Sequence, residues 1–276
     1  EDPRRAGPGA VIEPWQAALL ALVQGLTEFL PISSSAHLVI PGLVLGWPDQ
    51  GLAFDVAVHV GTLAAVLLYF RRDLTQLAVG SGRALVERRL TAPAREVLAL
   101  AVATVPVVVV GFLAADWIEA TLRSLPVIAS ATLLFGLLLI AAHVASRRGG
   151  LGTVTLAVAF AVGLAQVLAL VPGTSRSGIT MTAAMLLGVE RTAAARFSFL
   201  LSIPVIAGAG LLKGVELAAA PATTSWLPLA LAALLAGACA YSCIALFLAW
   251  VARLGLLPFA AYRVGLALVL YALWLA

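Results

Sequence analysis

Charge is scarce in this chain of 276 residues: Asp, Glu, Lys and Arg together make up 11%, against 62% apolar residues. A soluble domain carries about 25% charged and 45–50% apolar residues, so the composition excludes a water-soluble enzyme, a disordered chain and a nucleic-acid module together. Lysine is nearly absent. Of the 17 basic residues Lys213 is the single lysine, and the arginines fall between apolar runs instead of forming a stripe. The net charge of +4 is therefore read as a record of membrane topology, and no nucleic-acid partner is expected. Cysteine is limited to Cys239 and Cys243, one helical turn apart inside an apolar run. With no second ligand pair beside them, packing is the expected role rather than metal or redox chemistry. The stretch Glu1–Ala10 holds Pro3, Arg4, Arg5 and Pro8 without an initiator Met or a short apolar core before a cleavage site. It reads as a processed end and not as a signal peptide.

What the chain does contain is long apolar runs. Barrel strands would need alternating segments of about ten residues, and these runs are continuous, so the spanning elements are helices. Six runs, at about 53–70, 95–115, 125–145, 192–213, 226–250 and 258–275, reach the ~20 residues that cross a hydrocarbon core. Two further stretches are interrupted: 14–46 by Pro31-Ile32-Ser33-Ser34-Ser35, and 153–188 by Pro172-Gly173-Thr174-Ser175-Arg176-Ser177-Gly178. Each half is too short to cross, so each stretch is expected to dip into the membrane and return as a re-entrant helix hairpin. The expected fold is all-α: a polytopic membrane protein with six transmembrane helices and two re-entrant hairpins. A hairpin followed by three spans occurs twice, at 14–145 and 153–275, within one membrane domain. Three is odd, so the second copy is inverted relative to the first.

Arg71, Arg72, Arg83, Arg88, Arg89 and Arg95 in 71–95, with Arg147 and Arg148 in 146–152, mark those loops as cytoplasmic and leave Asp116, Glu119 and Arg123 outside. Trp15, Trp47, Trp117, Trp226, Trp250 and Trp274 each fall near an expected interface.

The two breaks carry the chemistry. In each, a hydroxyl-rich segment opens a second short helix, whose free N–H groups and positive dipole end would point toward the bilayer interior. Two such ends entering from opposite faces make an anion site. Arg176 adds a fork suited to phosphate oxygens. Its charge at that depth demands a partner or a water-filled cavity. Ser33, Ser34, Ser35, Thr174, Ser175, Ser177 and Thr180 supply hydroxyls that cap helices or bind phosphate. Glu28, near the negative end of its own short helix, requires a proton or a cation, the latter from a divalent metal or from Arg176 across the breaks. Gln24 lies one turn before Glu28 on the same face, so its amide oxygen can join that ligand set. His37, one turn beyond the serines, can act as a general acid or base or position a nucleophile. His59 could line the same cavity, and His143 reads as a surface residue near an interface.

At this point the residues resemble a known family. Gln24-Gly-Leu-Thr-Glu28-Phe-Leu-Pro-Ile-Ser-Ser-Ser-Ala-His37 is similar to the [E/Q]xxxE segment, with its following serine and histidine, of undecaprenyl-diphosphate phosphatases of the bacitracin-resistance type. Pro172-Gly-Thr-Ser-Arg-Ser-Gly-Ile-Thr180 looks like that family's PGxSRSxxT motif, and Arg196-Phe-Ser-Phe-Leu-Leu-Ser-Ile-Pro204 is similar to its third familiar stretch. The resemblance implies removal of the terminal phosphate of undecaprenyl diphosphate in the bacterial cytoplasmic membrane, with Mg²⁺ or Ca²⁺, in the recycling of the cell-wall lipid carrier. It implies catalytic roles for Glu28, Ser34, His37 and Arg176, with metal held by Gln24 and Glu28. Phosphate contacts are implied for Ser33, Ser35, Gly173, Thr174, Ser175, Ser177 and Thr180. Some relatives have Glu where this chain has Gln24, so a two-carboxylate metal site is not implied here.

Whether Ser34 attacks, with His37 or Glu28 taking its proton, or Glu28 and His37 activate water, stays open at this level. A different class is also open: a transporter or flippase of a polyprenyl phosphate lipid, because broken helices in inverted repeats are a signature of carriers. An anion channel is a weaker reading, since the hairpins would cap the site from both faces. The expected partners are a polyprenyl diphosphate lipid and the bilayer, with a homo-oligomer left open.

Overall fold

The computed structural model describes residues 12–146, 150–219 and 226–275. The amino-terminal stretch read as a processed end, and Arg147 and Arg148, lie outside those residues. Regular structure among the described residues is helical, apart from one isolated bridge between Leu151 and Val189. Eleven α-helices follow in order: α1 (Pro14–Thr27), α2 (Ser34–Leu45), α3 (Gly51–Tyr69), α4 (Arg71–Glu87), α5 (Ala92–Thr121), α6 (Leu125–Ala145), α7 (Leu156–Val167), α8 (Arg176–Leu186), α9 (Arg191–Ala219), α10 (Trp226–Arg253) and α11 (Leu257–Leu275).

Six of these, α3, α5, α6, α9, α10 and α11, are long and apolar enough to cross a membrane, and they coincide with the six runs expected from the sequence. The chain is a multi-pass membrane protein. Large apolar side chains such as Phe112, Leu113, Leu211 and Leu246 stand exposed on the outside, where a soluble protein would present polar groups. The other helices of the two interrupted stretches, α1, α2, α7 and α8, have 14, 12, 12 and 11 residues. At about 1.5 Å per residue none reaches across a core of about 30 Å.

Local chemistry sets the helix starts. Glu13 and Gln16 form a reciprocal capping box on α1 with Pro14 at its first turn. The Thr91 and Thr155 hydroxyls accept from Ala94 and Val158 N–H at 3.4 and 3.3 Å to cap α5 and α7. These caps satisfy backbone donors that the first turn leaves free. One segment departs from expectation. The arginine-rich stretch after Tyr69 is not a plain loop, because Arg71–Glu87 forms α4. Leu77 and Ala84 give that helix a buried side, while Arg71, Arg72 and Arg83 stay exposed. Arg196 of α9 holds it in place by pairing with Asp73 of α4 at 2.8 Å and with Glu96 of α5.

Small residues let the helices approach closely, as association within lipid requires. α1 packs along α10, α3 along α10, α7 along α5, and α6 along α11. A Cβ on Gly61 of α3 would lie 2.0 Å from the Ala233 carbonyl oxygen of α10. Gly25 of α1 meets Ala236 of α10, and Gly163 of α7 meets Ala103 of α5, at comparably short range. Cys239 and Cys243 belong to the α1–α10 contact, their thiols donating to the Leu22 and Leu26 carbonyls at 3.4 and 3.2 Å. Both thus make contacts within the helix crossing. An aromatic chain of Phe70, Phe199, Phe247 and Phe259 runs through the core, and Phe29, from the break after α1, stacks edge-on to Phe199 at 5.3 Å.

Gly61→Ala is expected to destabilise the protein by about 1–3 kcal/mol, read as a lower thermal midpoint in detergent. Gly208→Ala, which meets nothing within 4 Å, should leave the midpoint unchanged. Equal midpoints for the two variants would contradict the close α3–α10 crossing.

Candidate functional site

The two breaks share a local design. Ser33, ahead of α2, has φ 76° and ψ 95°, and Ser175, ahead of α8, has φ 69° and ψ 113°. A non-glycine residue with positive φ is uncommon, and here it occurs at the same place twice. Ser33 Oγ lies 3.2 Å from Ser35 Oγ, and Ser175 Oγ lies 3.3 Å from Ser177 Oγ. Gln24 and Gln166 stand at the same interval ahead of these serines, each fully buried with its Oε1 unpartnered. The structural register thus pairs Ser33 with Ser175, one residue away from the pairing obtained by aligning Pro31 with Pro172. Gly173 is the extra residue. Its φ of 95° and the 2.5 Å between a notional Cβ and the Ile128 carbonyl oxygen exclude any side chain there.

The breaks meet through charged and hydroxyl groups. Arg176 Nη2 donates to Glu28 Oε1 at 3.1 Å and Nη1 to the Ser198 carbonyl at 3.1 Å, with the guanidinium 5.9 Å from the centre of the Phe29 ring. Glu28 Oε2 accepts from Ser34 Oγ at 2.7 Å and from Gln24 Nε2 at 3.1 Å. The Arg176 and Glu28 side chains are only 12% and 8% exposed. Removing either would strand the other, at about 3–5 kcal/mol for a buried pair. Ser177 Oγ crosses to the Leu30 carbonyl at 2.9 Å, and Thr180 shares a 2.7 Å hydrogen bond with the fully buried Ser198. Two of the five guanidinium N–H donors are used in these contacts, which leaves a cationic fork able to take further oxygens.

Most of the residues expected at the site converge there. Ser175 Oγ caps α8 on the Gly178 N–H at 3.1 Å, Ser177 ties the two breaks together, and Thr180 bonds the Arg176 and Ser177 carbonyls of its own helix as well as Ser198. Ser33 makes no side-chain cap, and the Thr174 hydroxyl is buried without a partner. His37 is not hydrogen-bonded to Ser34. Its Nδ1 lies 2.7 Å from the Ser33 carbonyl, so that nitrogen carries the proton, and Nε2 accepts from the Tyr262 hydroxyl at 2.6 Å with the two rings stacked. His59 bonds its own helix at the Asp55 carbonyl, 2.7 Å away. His143 corrects the sequence reading. It is buried, because the link between α10 and α11 folds over the end of α6 and brings Leu256 N–H to its Nδ1 at 3.4 Å.

Ser198, Tyr262 and Arg263 were missed. Arg263 is fully buried in α11 and among the described residues donates only to backbone carbonyls. An arginine inside an apolar run was the available signal, because a charge within a span requires partners. For a metal, no three His, Cys, Asp or Glu side chains gather among the described residues. The Gln24 amide turns its Nε2 to Glu28 and leaves its buried Oε1 without a partner. Amide, carboxylate and hydroxyl oxygens are the donors that a hard cation such as Mg²⁺ or Ca²⁺ takes, so the set fits an ion completed by a ligand's own oxygens.

Fold and site together define a multi-pass helical membrane protein with a buried Arg–carboxylate–serine centre where two broken helices meet. The chain belongs to the family described as bacitracin resistance protein BacA, whose model matches residues 17–269. It is similar to the undecaprenyl-diphosphatase of Alcanivorax borkumensis, 54% identical over 263 residues that cover 95% of this chain and 99% of that one. It is also similar to the undecaprenyl-diphosphatases of Chromohalobacter salexigens, 55% identical over 93% of this chain and 97% of that one, and of Alteromonas mediterranea, 51% identical over 94% and 97%.

Arg176→Lys keeps the charge but loses the planar fork. It is expected to weaken binding of inorganic pyrophosphate at least about tenfold, measured by calorimetry in detergent. Unchanged affinity would remove Arg176 from the anion site.

Proposed function

We propose that this protein is an integral membrane phosphatase that hydrolyses undecaprenyl diphosphate to undecaprenyl phosphate and inorganic phosphate, recycling the lipid carrier of peptidoglycan synthesis and conferring resistance to bacitracin. One observation carries the reading: a buried carboxylate, Glu28, is held at once by the Ser34 hydroxyl and the Arg176 guanidinium where two broken helices meet. Near full-length similarity to undecaprenyl-diphosphatases supports it. The bacterial cytoplasmic membrane is its location on this reading.

In the proposed mechanism Arg176 and the N–H groups opening α2 and α8 bind the diphosphate and stabilise charge building on the transferred phosphoryl group. Ser33, Ser35 and Thr174 add hydroxyls. Gly173 allows close backbone approach, and Ser175, Ser177 and Thr180 keep that backbone in place. Ser34 Oγ attacks the terminal phosphorus while its proton passes to Glu28 Oε2, 2.7 Å away. The bond from that phosphorus to the bridging oxygen breaks and undecaprenyl phosphate leaves. Water then hydrolyses the phosphoserine, its OH going to phosphorus and its other proton restoring the Ser34 hydroxyl, and Glu28 loses the proton it took as phosphate departs. His37, held between the Ser33 carbonyl and Tyr262, orients the segment that carries Ser34. Gln24 and Glu28 would hold a divalent cation, which when bound supplies charge neutralisation at the phosphate oxygens.

The same proposal takes 14–46 and 153–188 as re-entrant hairpins and 14–145 and 153–275 as inverted copies. Its support is the matched register of Gln24, Ser33 and Ser35 with Gln166, Ser175 and Ser177. The packing of α1 on α10 and of α7 on α5 is its counterpart at the level of helices. α6 and α11 also both begin Leu-Pro.

Purified protein in detergent, with no two sides to transport between, should release phosphate from undecaprenyl diphosphate; binding without release would favour the carrier class. Ser34→Ala should lose on the order of 10³-fold or more in kcat, and mass spectrometry of quenched wild-type enzyme should find phosphoserine at position 34. Full activity in Ser34→Ala would instead leave Glu28 acting on water. A chelator should abolish turnover and added Mg²⁺ or Ca²⁺ restore it, and turnover indifferent to the chelator would overturn the metal assignment.

A further inference from the structure

Arg263 is the largest fully buried side chain among the described residues, at 0% exposure. Its partners are unusual for a buried charge. Nη1 donates to the Thr174 carbonyl at 2.8 Å and the Pro31 carbonyl at 3.3 Å, Nη2 to the Gly173 carbonyl at 2.8 Å, and Nε to the Thr132 carbonyl at 3.3 Å. No carboxylate pairs with it among the described residues. A guanidinium in so dry a place is costly unless its donors are satisfied, and here four hydrogen bonds from one planar group engage three separate stretches of backbone. Two of these stretches are the breaks. Pro31 lies two residues before Ser33, and Gly173 and Thr174 directly precede Ser175. The third, Thr132 of α6, also sends its hydroxyl to the Gly173 carbonyl at 3.4 Å. Space for the side chain is left by glycines: a Cβ on Gly136 of α6 would stand 3.1 Å from Arg263 Cβ, and one on Gly178 of α8 would stand 3.0 Å from Nη1.

We propose that Arg263 is a positioning residue for the phosphatase reaction, clamping the carbonyls that precede both helix starts so that Ser34 and Glu28 on one break face Arg176 on the other. The inference rests on the function proposed above. Arg263 touches neither Glu28, Ser34 nor Arg176; it acts through the backbone that carries them. The three carbonyls of the breaks belong to segments more than a hundred residues apart in sequence, and a rigid fork holds them at one spacing. An ammonium, with a single nitrogen, cannot bridge the same three oxygens in their present places.

The test measures kcat and KM for undecaprenyl diphosphate per folded molecule, with the folded fraction taken from detergent size exclusion and thermal unfolding. Wild-type turnover comes first: its absence would fail the phosphatase reading, and only with turnover present do the variants bear on Arg263. Arg263→Lys is expected to lower kcat about 100-fold, as an ångström-scale misplacement does, while KM stays within about threefold. Gly136→Ala presses on Arg263 without touching either break, and should lower kcat by a smaller factor, about three- to tenfold on the same basis, again with KM little changed. A merely structural role would lower the folded fraction and leave kcat per folded molecule at the wild-type value. That result in Arg263→Lys overturns the proposal, as does a rise in KM at unchanged kcat. Should Arg263→Lys fail to fold, Gly136→Ala decides alone, and wild-type kcat in it overturns the proposal.

Discussion

Glu28 and Arg176 are two buried charges in a membrane protein, 148 residues apart in the chain and 3.1 Å apart in space. A lone charge at the middle of a membrane helix costs at least about 2.5–3.5 kcal/mol, and a buried charge that loses its partner costs about 3–5 kcal/mol. Against a total stability of about 5–15 kcal/mol, neither break can sit far from the other. The rest of the core follows from that constraint. Phe29 packs edge-on to Phe199 beside the pair, Ser177 ties α8 to the Leu30 carbonyl, and close glycine crossings bring α1 onto α10 and α7 onto α5.

The serine at each break shows how chemistry and backbone are traded. A residue at φ 76° or 69° is strained by about 1–3 kcal/mol unless it is glycine. Gly173 stands where no Cβ fits. Ser33 and Ser175 have room for a side chain, and their hydroxyls meet those of Ser35 and Ser177. The turn they make presents the next residue, Ser34 in one case and Arg176 in the other, to Glu28. One local geometry thus delivers a neutral hydroxyl from one side and a cation from the other to the same carboxylate, which gives a single acidic group both an activating and a neutralising neighbour.

How much could be read in advance differs by residue. The six spans were visible because hydropathy is a property of a window of neighbours, and the breaks were visible because Pro31 and Pro172 with their hydroxyl-rich sequels cannot continue a helix unchanged. Arg71–Glu87 was less legible. The density of its arginines hid the buried side formed by Leu77 and Ala84, and its anchor, Arg196, lies more than a hundred residues away. His143 looked superficial because it lies near an expected interface beside Arg147, and the folding of Leu256 across it makes it internal.

From sequence alone came the class of the protein, the places where its helices break, and Glu28 and Arg176 as the charges at those breaks. These follow from composition and local patterning, which the bilayer turns into hard rules by penalising every exposed polar group. Tertiary structure decided the partners. It put Ser34 on Glu28 rather than on His37, gave His37 to Tyr262, and drew Arg263 to both breaks. A hydrogen bond depends on a few tenths of an ångström and on which helix faces cross. In this protein those crossings are set by glycine contacts such as Gly25 on Ala236 and Gly163 on Ala103, between segments whose proximity no local window records.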